Sequence, residues 1–307
     1  MPNKSLMTKK RVYLIWILPI QFTIAILISM PLAAHRGIPS KPLDPLADFQ
    51  TQVIIELSAE LHDSFPDFAA VFAREAPKAE HEVDPVVRSS VNQLLKMEKS
   101  APPTRKPALL LATDMLAGKL FCAESSQDPS VECRKLHDEM AAQKLTLAWD
   151  VLGGEWSYRH DLLWRVWREF GSTRWGEKAF VLLMNSGWNP SGICDSGKDE
   201  FRVVIREGEK FLAARPSSSY RPEIKFLVAE AHASWWAMSE PGLDDDYVDP
   251  KLYKEGSSQA RRKAILYFQE LADSHSNKLI VEAARQHLLN IKKGDARSEA
   301  RFYCVYD

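Results

Sequence analysis

Apolar residues recur every three or four positions along most of the chain, the spacing that gathers them on one face of an α-helix. Over 46–62 they fall at Phe49, Val53, Ile54, Leu57 and Leu61. A shorter segment, 68–76, follows Pro66, and 85–97 carries Val86, Val87, Val91, Leu94 and Leu95. Pro107 opens the run ALLLATDMLAGKLF, and proline suits a first helical turn. The stretch 131–151 reads as the longest helix, through Leu136, Met140, Leu145, Leu147 and Val151, and 160–170 and 176–185 continue the series. No alternating run of β-branched residues is long enough to predict a sheet. The pattern therefore predicts an all-α protein, with one helical domain over 46–195 and a second helical region over 196–307.

The first 34 residues break this pattern. Lys4, Lys9, Lys10 and Arg11 precede an apolar run over 12–34, and no acid occurs before Asp44. A basic start followed by an apolar segment is the signature of export. The run is long enough to span a bilayer, while Pro31 and the pair Ala33–Ala34 resemble the end of a cleaved signal. Both a signal peptide and an inner-membrane anchor fit, and a Pro-rich linker over 35–45 follows. The expected location is the periplasm or another extracytoplasmic space. Without residues 1–34 the charge balance moves from 40 basic against 41 acidic to 36 against 41, a net −5. Neither figure has the basic surplus of a nucleic-acid binder.

All four cysteines, Cys122, Cys133, Cys194 and Cys304, fall in the exported part. An even count outside the cytoplasm points to disulfides. A local bridge Cys122–Cys133 would leave Cys194 with Cys304. Neither paired cysteines at short spacing nor clustered histidines are present to suggest zinc, and no cofactor motif occurs. Asp244, Asp245, Asp246 and Asp249 lack the order of a calcium loop and read as a solvated acidic stretch.

Two segments share a helix–turn–helix grammar. EGEKFLAARPSSSYRPEIKFLVAEAHASWW (207–236) and ARRKAILYFQELADSHSNKLIVEAARQHLLNI (260–291) each place an aromatic, Phe211 or Phe268, before a polar turn. Each continues in a second helix with small residues, Ala229 and Ala231 or Ala283 and Ala284. Upstream, WDVLGGEW (149–156) matches Trp-x-x-Leu-Gly-x-x-Tyr with Trp156 in the tyrosine place, although Arg165 and Glu169 stand where an alanine and an aromatic should follow. These features resemble the tetratricopeptide repeat family over about 200–293, in particular the exported bacterial type of outer-membrane-assembly and cell-division coordinator proteins. The resemblance implies helical hairpins stacked as an α-solenoid. It also implies binding of a partner protein or peptide without catalysis, in a bacterium with an outer membrane. The spacing of the two units is 59 residues rather than the roughly 34 of the standard repeat, with SEPGLDDDYVDPKLYKEG as the insertion.

The stretch 156–180 is rich in tryptophan and arginine, the residue types that anchor interfaces and stack on sugars, yet Trp164, Trp167 and Phe170 recur at a spacing that also suits a buried face. Trp156, Arg159, Trp164, Tyr220 and Trp235 are the candidate binding residues of a concave groove. His232, between Ala231 and Ala233, reads as a satisfied core histidine. No catalytic residue is assigned in this reading. The alternative is an all-α envelope enzyme acting on glycan or peptide, with Glu155 and His160 as its acid–base pair. His160–Asp161 before an apolar helix more simply reads as a helix cap.

Overall fold

Three Asp–Pro steps open helical segments, and each aspartate caps the turn it precedes. The Asp44 carboxylate accepts from the backbone N–H groups of Leu46 (2.9 Å) and Ala47 (3.3 Å) at the start of α1, Pro45–Leu61. Asp84 does the same for Val86 (2.8 Å) and Val87 (3.3 Å) at α3, Pro85–Ser100. Asp249 accepts from Lys251 (3.0 Å) at a 3-10 turn, Pro250–Tyr253. Proline at the first helical position lacks a donor that would have no partner there, so Asp–Pro is a start signal written into the sequence.

The structure, a computed structural model, describes residues 44–74, 84–123, 131–150, 155–190, 200–241 and 249–301, with backbone alone at 121–123, 132, 150 and 155. Residues 1–34, expected to be a signal peptide or anchor, and nearly all of the expected linker lie outside them. Among the described residues no helix is long and apolar enough to cross a membrane. The chain is mostly α-helical. After α1 and α3, with the short α2 (Phe68–Phe72) between them, come α4 (Lys106–Ala117), α5 (Val131–Ala142), α6 (Asp161–Phe170) and α7 (Arg174–Asn185). Then follow α8 (Glu200–Ala214), α9 (Arg221–Met238), α10 (Ser257–Ala272) and α11 (Lys278–Lys293), and a last 3-10 turn at Arg297–Glu299.

Two helices are buried nearly all round and organise the rest, because a helix apolar on every side must be enclosed. In α4 every residue from Pro107 to Ala117 is buried, and α1, α2, α3, α6 and α7 pack on it. In α9, Ile224 and the run Phe226–Ser234 are buried under α7, α8, α10 and α11. Helix α7 touches both, and α1 touches α7 and α11, so contacts cross residue 195 freely. All described residues belong to one unit, Pro39–Asp307.

A small sheet accompanies the helices, and here the sequence expectation fails. β1 (Phe121–Ala123), β2 (Leu147–Asp150) and β3 (Glu155–Tyr158) form an antiparallel sheet in the order β1-β3-β2. The long helix expected over 131–151 ends instead at Ala142. Lys144 takes a left-handed φ of 62°, its N–H donates to Ala141, and the Leu145 N–H donates to Met140 (both 2.9 Å). This paired closure stops a helix and satisfies its last carbonyls, usually with glycine at the left-handed place. Past it, Leu147 to Asp150 pairs with Glu155 to Tyr158. The WDVLGGEW stretch thus begins and ends in paired strands, not in the first helix of a repeat. Two strands flanking Gly-Gly are a hairpin signal that the helical spacing of Leu145, Leu147 and Val151 concealed.

The same closure ends α7, with Gly187 (φ 67°) donating to Met184 and Trp188 (φ 69°) donating to Leu183 at 2.8 Å. It swings the Trp188 ring back onto Trp164 (5.1 Å, edge to face) and Phe180 (5.4 Å). Phe180 also stacks on Phe211 at 4.5 Å and meets Trp167 at 4.5 Å. The tryptophans of α6 therefore contribute to packing between α6, α7 and α8. Buried aromatic side chains of this size supply about 1.5–3 kcal/mol each.

Over 207–236 and 260–291 the expected helix–turn–helix grammar is present, as α8 with α9 and α10 with α11. Ala229, Ala231, Ala283 and Ala284 are all buried. α8 approaches its neighbours closely at Gly208, where an added Cβ would lie 2.3 Å from a Val228 methyl and 2.6 Å from the Met184 methyl. Both are ends of side chains that can shift. Gly208→Ala is expected to lower stability by about 1–3 kcal/mol in urea denaturation. An unchanged midpoint would mean that α8 stands farther off.

Candidate functional site

The turn between α6 and α7 is very tight. Thr173 caps α7, its hydroxyl accepting from the Gly176 N–H (3.1 Å) and donating to the Phe170 carbonyl (2.7 Å). Gly176 lies so close to the end of α6 that a Cβ there would stand 2.0 Å from the Phe170 carbonyl oxygen. Facing this corner is the Ser-rich turn between α8 and α9. Between them opens a cleft of about 420 Å³, lined on one side by Ser172, Thr173, Arg174 and Glu177 and on the other by Arg215 and Tyr220.

The groups at the cleft hold one another in place. Glu177 accepts from Arg215 Nη1 (3.0 Å) and from the Ser218 hydroxyl (2.8 Å). Arg215 also donates to the Gly171 carbonyl and lies over the Trp167 and Phe211 rings, 5.2 Å from each. Arg174 pairs with Glu60 (2.5 Å) and covers Trp175 at 4.7 Å. Tyr220 forms the half-buried floor, with Phe49 edge-on at 5.9 Å. Behind it Lys178, only 2% exposed, places its ammonium 5.3 Å from Tyr220, 5.6 Å from Phe49 and 5.7 Å from Trp175. Its charge is met by Glu56 at 2.8 Å. A buried cation is tolerable only when paired in this way. Burial, then the carboxylates Glu56, Glu177 and Glu223, push the Tyr220 phenol up to about 12. The floor therefore stays a neutral phenol. Glu223 Oε2 is buried without a hydrogen-bond partner, and burial raises its carboxyl above the usual range. The cleft thus sets charged hydrogen-bonding groups at its rim over an aromatic floor.

Of the five candidate binding residues, Tyr220 alone lines the cleft. Trp156 lies on β3 beside His137 and Trp149, each at 5.7 Å, with its indole N–H buried and without a partner. Arg159 is exposed, and its backbone N–H donates to Thr146. Trp164 packs against Trp188, and Trp235 donates its indole N–H to the Tyr253 carbonyl at 3.1 Å. The structure distributes these side chains among separate contacts, so no single groove gathers them. His232 is buried, as expected of a core residue, but only its Nε2 is near a partner (Glu209, 3.4 Å), while Nδ1 has none. Burial pulls its pKa down to about 4, which leaves it neutral.

His160 occupies a different kind of place, with a left-handed φ of 56° before α6. Its Nδ1 lies 2.7 Å from Asp114, an acid 1% exposed in the middle of α4. The other Asp114 oxygen accepts from the Leu163 N–H (2.9 Å), and the Tyr158 hydroxyl accepts from the Leu162 N–H (3.0 Å). The start of α6 is thus capped by groups from α4 and β3. Asp161 does not cap it; it accepts from the Thr146 N–H (2.6 Å). Burial opposes a charge on His160, but the charge and hydrogen bond of Asp114, with Asp161, outweigh it and raise its pKa. The Glu155 side chain lies outside the described residues. An aspartate holding an imidazole is also how general bases are oriented, yet here both Asp114 oxygens serve the junction of α4, β3 and α6.

Asp114, Lys178 and Glu56 escaped the sequence reading. A lone acid inside ALLLATDMLAG was the available signal for Asp114, since a charge in an apolar helix needs a partner. Among the described residues no group of three or more His, Cys, Asp or Glu is placed to hold a metal ion. Fold and cleft together define a mostly helical protein, built around two buried helices, with a charged, aromatic-floored cleft between two helix corners. No protein-family model, curated protein or solved structure matches the chain.

Proposed function

We propose that this protein is a non-catalytic extracytoplasmic scaffold, and that it binds a segment of another envelope protein in the cleft between the α6–α7 corner and the α8–α9 turn. The observation that supports this reading is the cleft itself, with Arg174 and Glu177 at the rim and Tyr220 on the floor. Aromatic and arginine side chains in partly desolvated surroundings carry most of the energy of such interfaces. The basic start and the apolar run over 12–34 support an extracytoplasmic location for the scaffold, tethered through residues 12–34 or released. Hairpins α8–α9 and α10–α11 belong, in this reading, to a solenoid of the tetratricopeptide type. Cys133, buried on α5, is not a free thiol, and this reading pairs it with Cys122 and leaves Cys194 with Cys304, which lie outside the described residues.

The test is copurification of envelope proteins with the full chain from detergent-solubilised membranes. Ser217→Arg, which fills the cleft from an exposed position, and Arg174→Glu are each expected to weaken capture of the specific partner about tenfold or more. Leu266→Ser, at an exposed position on α10, is expected to leave capture intact. Capture unaffected by both cleft variants would refute the assignment.

A further inference from the structure

The last described turn of the chain, Arg297–Glu299, with Arg301 after it, lies against three helices through a polar network well away from the proposed cleft. Its centre is His287 on α11. Nδ1 of His287 is 2.7 Å from Glu299 Oε2, and Nε2 is 3.6 Å from Glu230 Oε1 on α9. Both carboxylates are enclosed, Glu299 with no side-chain exposure and Glu230 with 8%. The imidazole ring is stacked on Phe268 of α10 at 4.7 Å, 2° from parallel, and Phe226 closes on its edge at 5.5 Å. The ring is therefore fixed with a carboxylate at each nitrogen. A neutral imidazole has one N–H and would turn a lone pair toward one of those carboxylates. Only the protonated ring pairs with both, by a hydrogen bond to Glu299 and by an ion pair at 3.6 Å with Glu230.

The remaining contacts fasten the segment to the helices. The second Glu299 oxygen accepts from Asn290 of α11 (2.9 Å), and the Glu299 carbonyl accepts from the Ser234 hydroxyl of α9 (3.0 Å). The Arg301 backbone N–H donates to that same hydroxyl at 2.9 Å. The Arg301 guanidinium spans Glu230 (2.5 Å) and Asn185 at the end of α7 (2.6 Å), within the field of Asp44 at the start of α1. Among these groups there are three acids, Glu230, Glu299 and Asp44. Against them stand Arg301 and, when protonated, His287.

We infer that residues 297–301 form a charge-dependent latch, closed while His287 carries its proton and loosened when the proton leaves, which holds this segment on α7, α9 and α11. Loss of the proton removes the ion pair with Glu230, takes the charge out of the hydrogen bond to Glu299 and leaves two buried carboxylates with less counter-charge, a change of the size that local opening requires. The direction follows from the surroundings. Burial works against the charge on His287, but the Glu299 hydrogen bond and the charges of Glu230 and Glu299 outweigh both burial and Arg301, so its pKa is raised. A raised folded value means that the stabilisation is complete below the ordinary histidine range. It is lost as pH climbs through the raised value. The latch is tight in mild acid and loose in mild alkali.

Amide hydrogen exchange on the full chain tests this, at pH 6 and pH 9 with rates corrected for the intrinsic effect of pH. Protection over 297–301 is expected to fall about tenfold or more from pH 6 to pH 9 relative to α8, an amount in keeping with one charged hydrogen bond. His287→Gln is expected to show low protection at both pH values. A wild-type latch whose protection follows α8 at both pH values overturns the proposal, whether or not the variant folds. So does a folded His287→Gln chain that keeps the wild-type pH response.

Discussion

Replacing Gly176 with alanine is expected to lower folding stability by about 3 kcal/mol or more, the largest effect among the described glycines. The added Cβ would stand 2.0 Å from the Phe170 carbonyl oxygen, 2.5 Å from its carbon and 2.6 Å from the Gly171 Cα. All three are backbone atoms, so no rotamer change relieves the clash and the whole α6–α7 corner must open. Overpacking between side chains typically costs about 1–3 kcal/mol, and a backbone obstacle belongs at or above the top of that range. Gly294 provides the contrast. It has a left-handed φ of 76° but nothing within 4 Å of the added Cβ, so Gly294→Ala carries only the conformational penalty of about 1–2 kcal/mol. Urea denaturation of the two variants beside the wild type measures both. A Gly176→Ala protein within 0.5 kcal/mol of wild type, on the scale of a neutral surface change, would show that α7 does not turn as closely against α6 as described. Because this corner forms one wall of the cleft, partner capture is expected to fall with stability.

Asp114→Ala is expected to be comparably damaging, at about 3–5 kcal/mol, the range for removing one member of a buried charged pair. The substitution leaves His160 without its counter-charge and the Leu163 N–H at the start of α6 without an acceptor. Asp114→Asn keeps a hydrogen-bonding group and is expected to cost less while abolishing the pH dependence of this junction. His160 has a raised folded pKa, so its contribution is present below the ordinary histidine value and is lost as pH rises through the raised one. The wild type should therefore lose stability from mildly acidic to mildly alkaline pH, and Asp114→Asn should flatten that decline. His287 contributes in the same direction, so adding His287→Gln should remove a further part of the decline, while His232, whose folded pKa is lowered, contributes with the opposite sign below the ordinary histidine value. A slope unchanged by Asp114→Asn would mean that the pair does not carry a charge.

Local features of the fold were legible because they are encoded within a few residues. Asp44–Pro45 and Asp84–Pro85 mark helix starts, and the three-to-four spacing of Phe49, Val53, Leu57 and Leu61 marks a buried face that is indeed buried. The sheet was not legible, since its strands are three or four residues long and Leu145 and Leu147 continue the helical rhythm of α5. Only Lys144 in a left-handed conformation separates them, and lysine gives no such signal. The polar centres were hidden for a different reason. Asp114 and His160 are 46 positions apart, and Glu56 and Lys178 are 122 apart. Each reads alone as an ordinary charge, and only packing of α4 on α6, or of α1 on α7, makes it a pair. Aromatic abundance left core and groove open in the sequence. Trp164 and Trp235 are locally suggestive of a groove, but their rings are engaged with Trp188 and with the Tyr253 turn.

The claim that the cleft holds a segment of a partner protein is tested most directly by a photoactivatable amino acid placed at Ser217, on the cleft rim, in living cells. Leu266 on α10, 54% exposed, is the control position. On irradiation the cleft position is expected to yield one discrete, heavier adduct containing a second envelope protein, and the control position none. No adduct from Ser217, or the same adducts from both positions, would contradict the assignment.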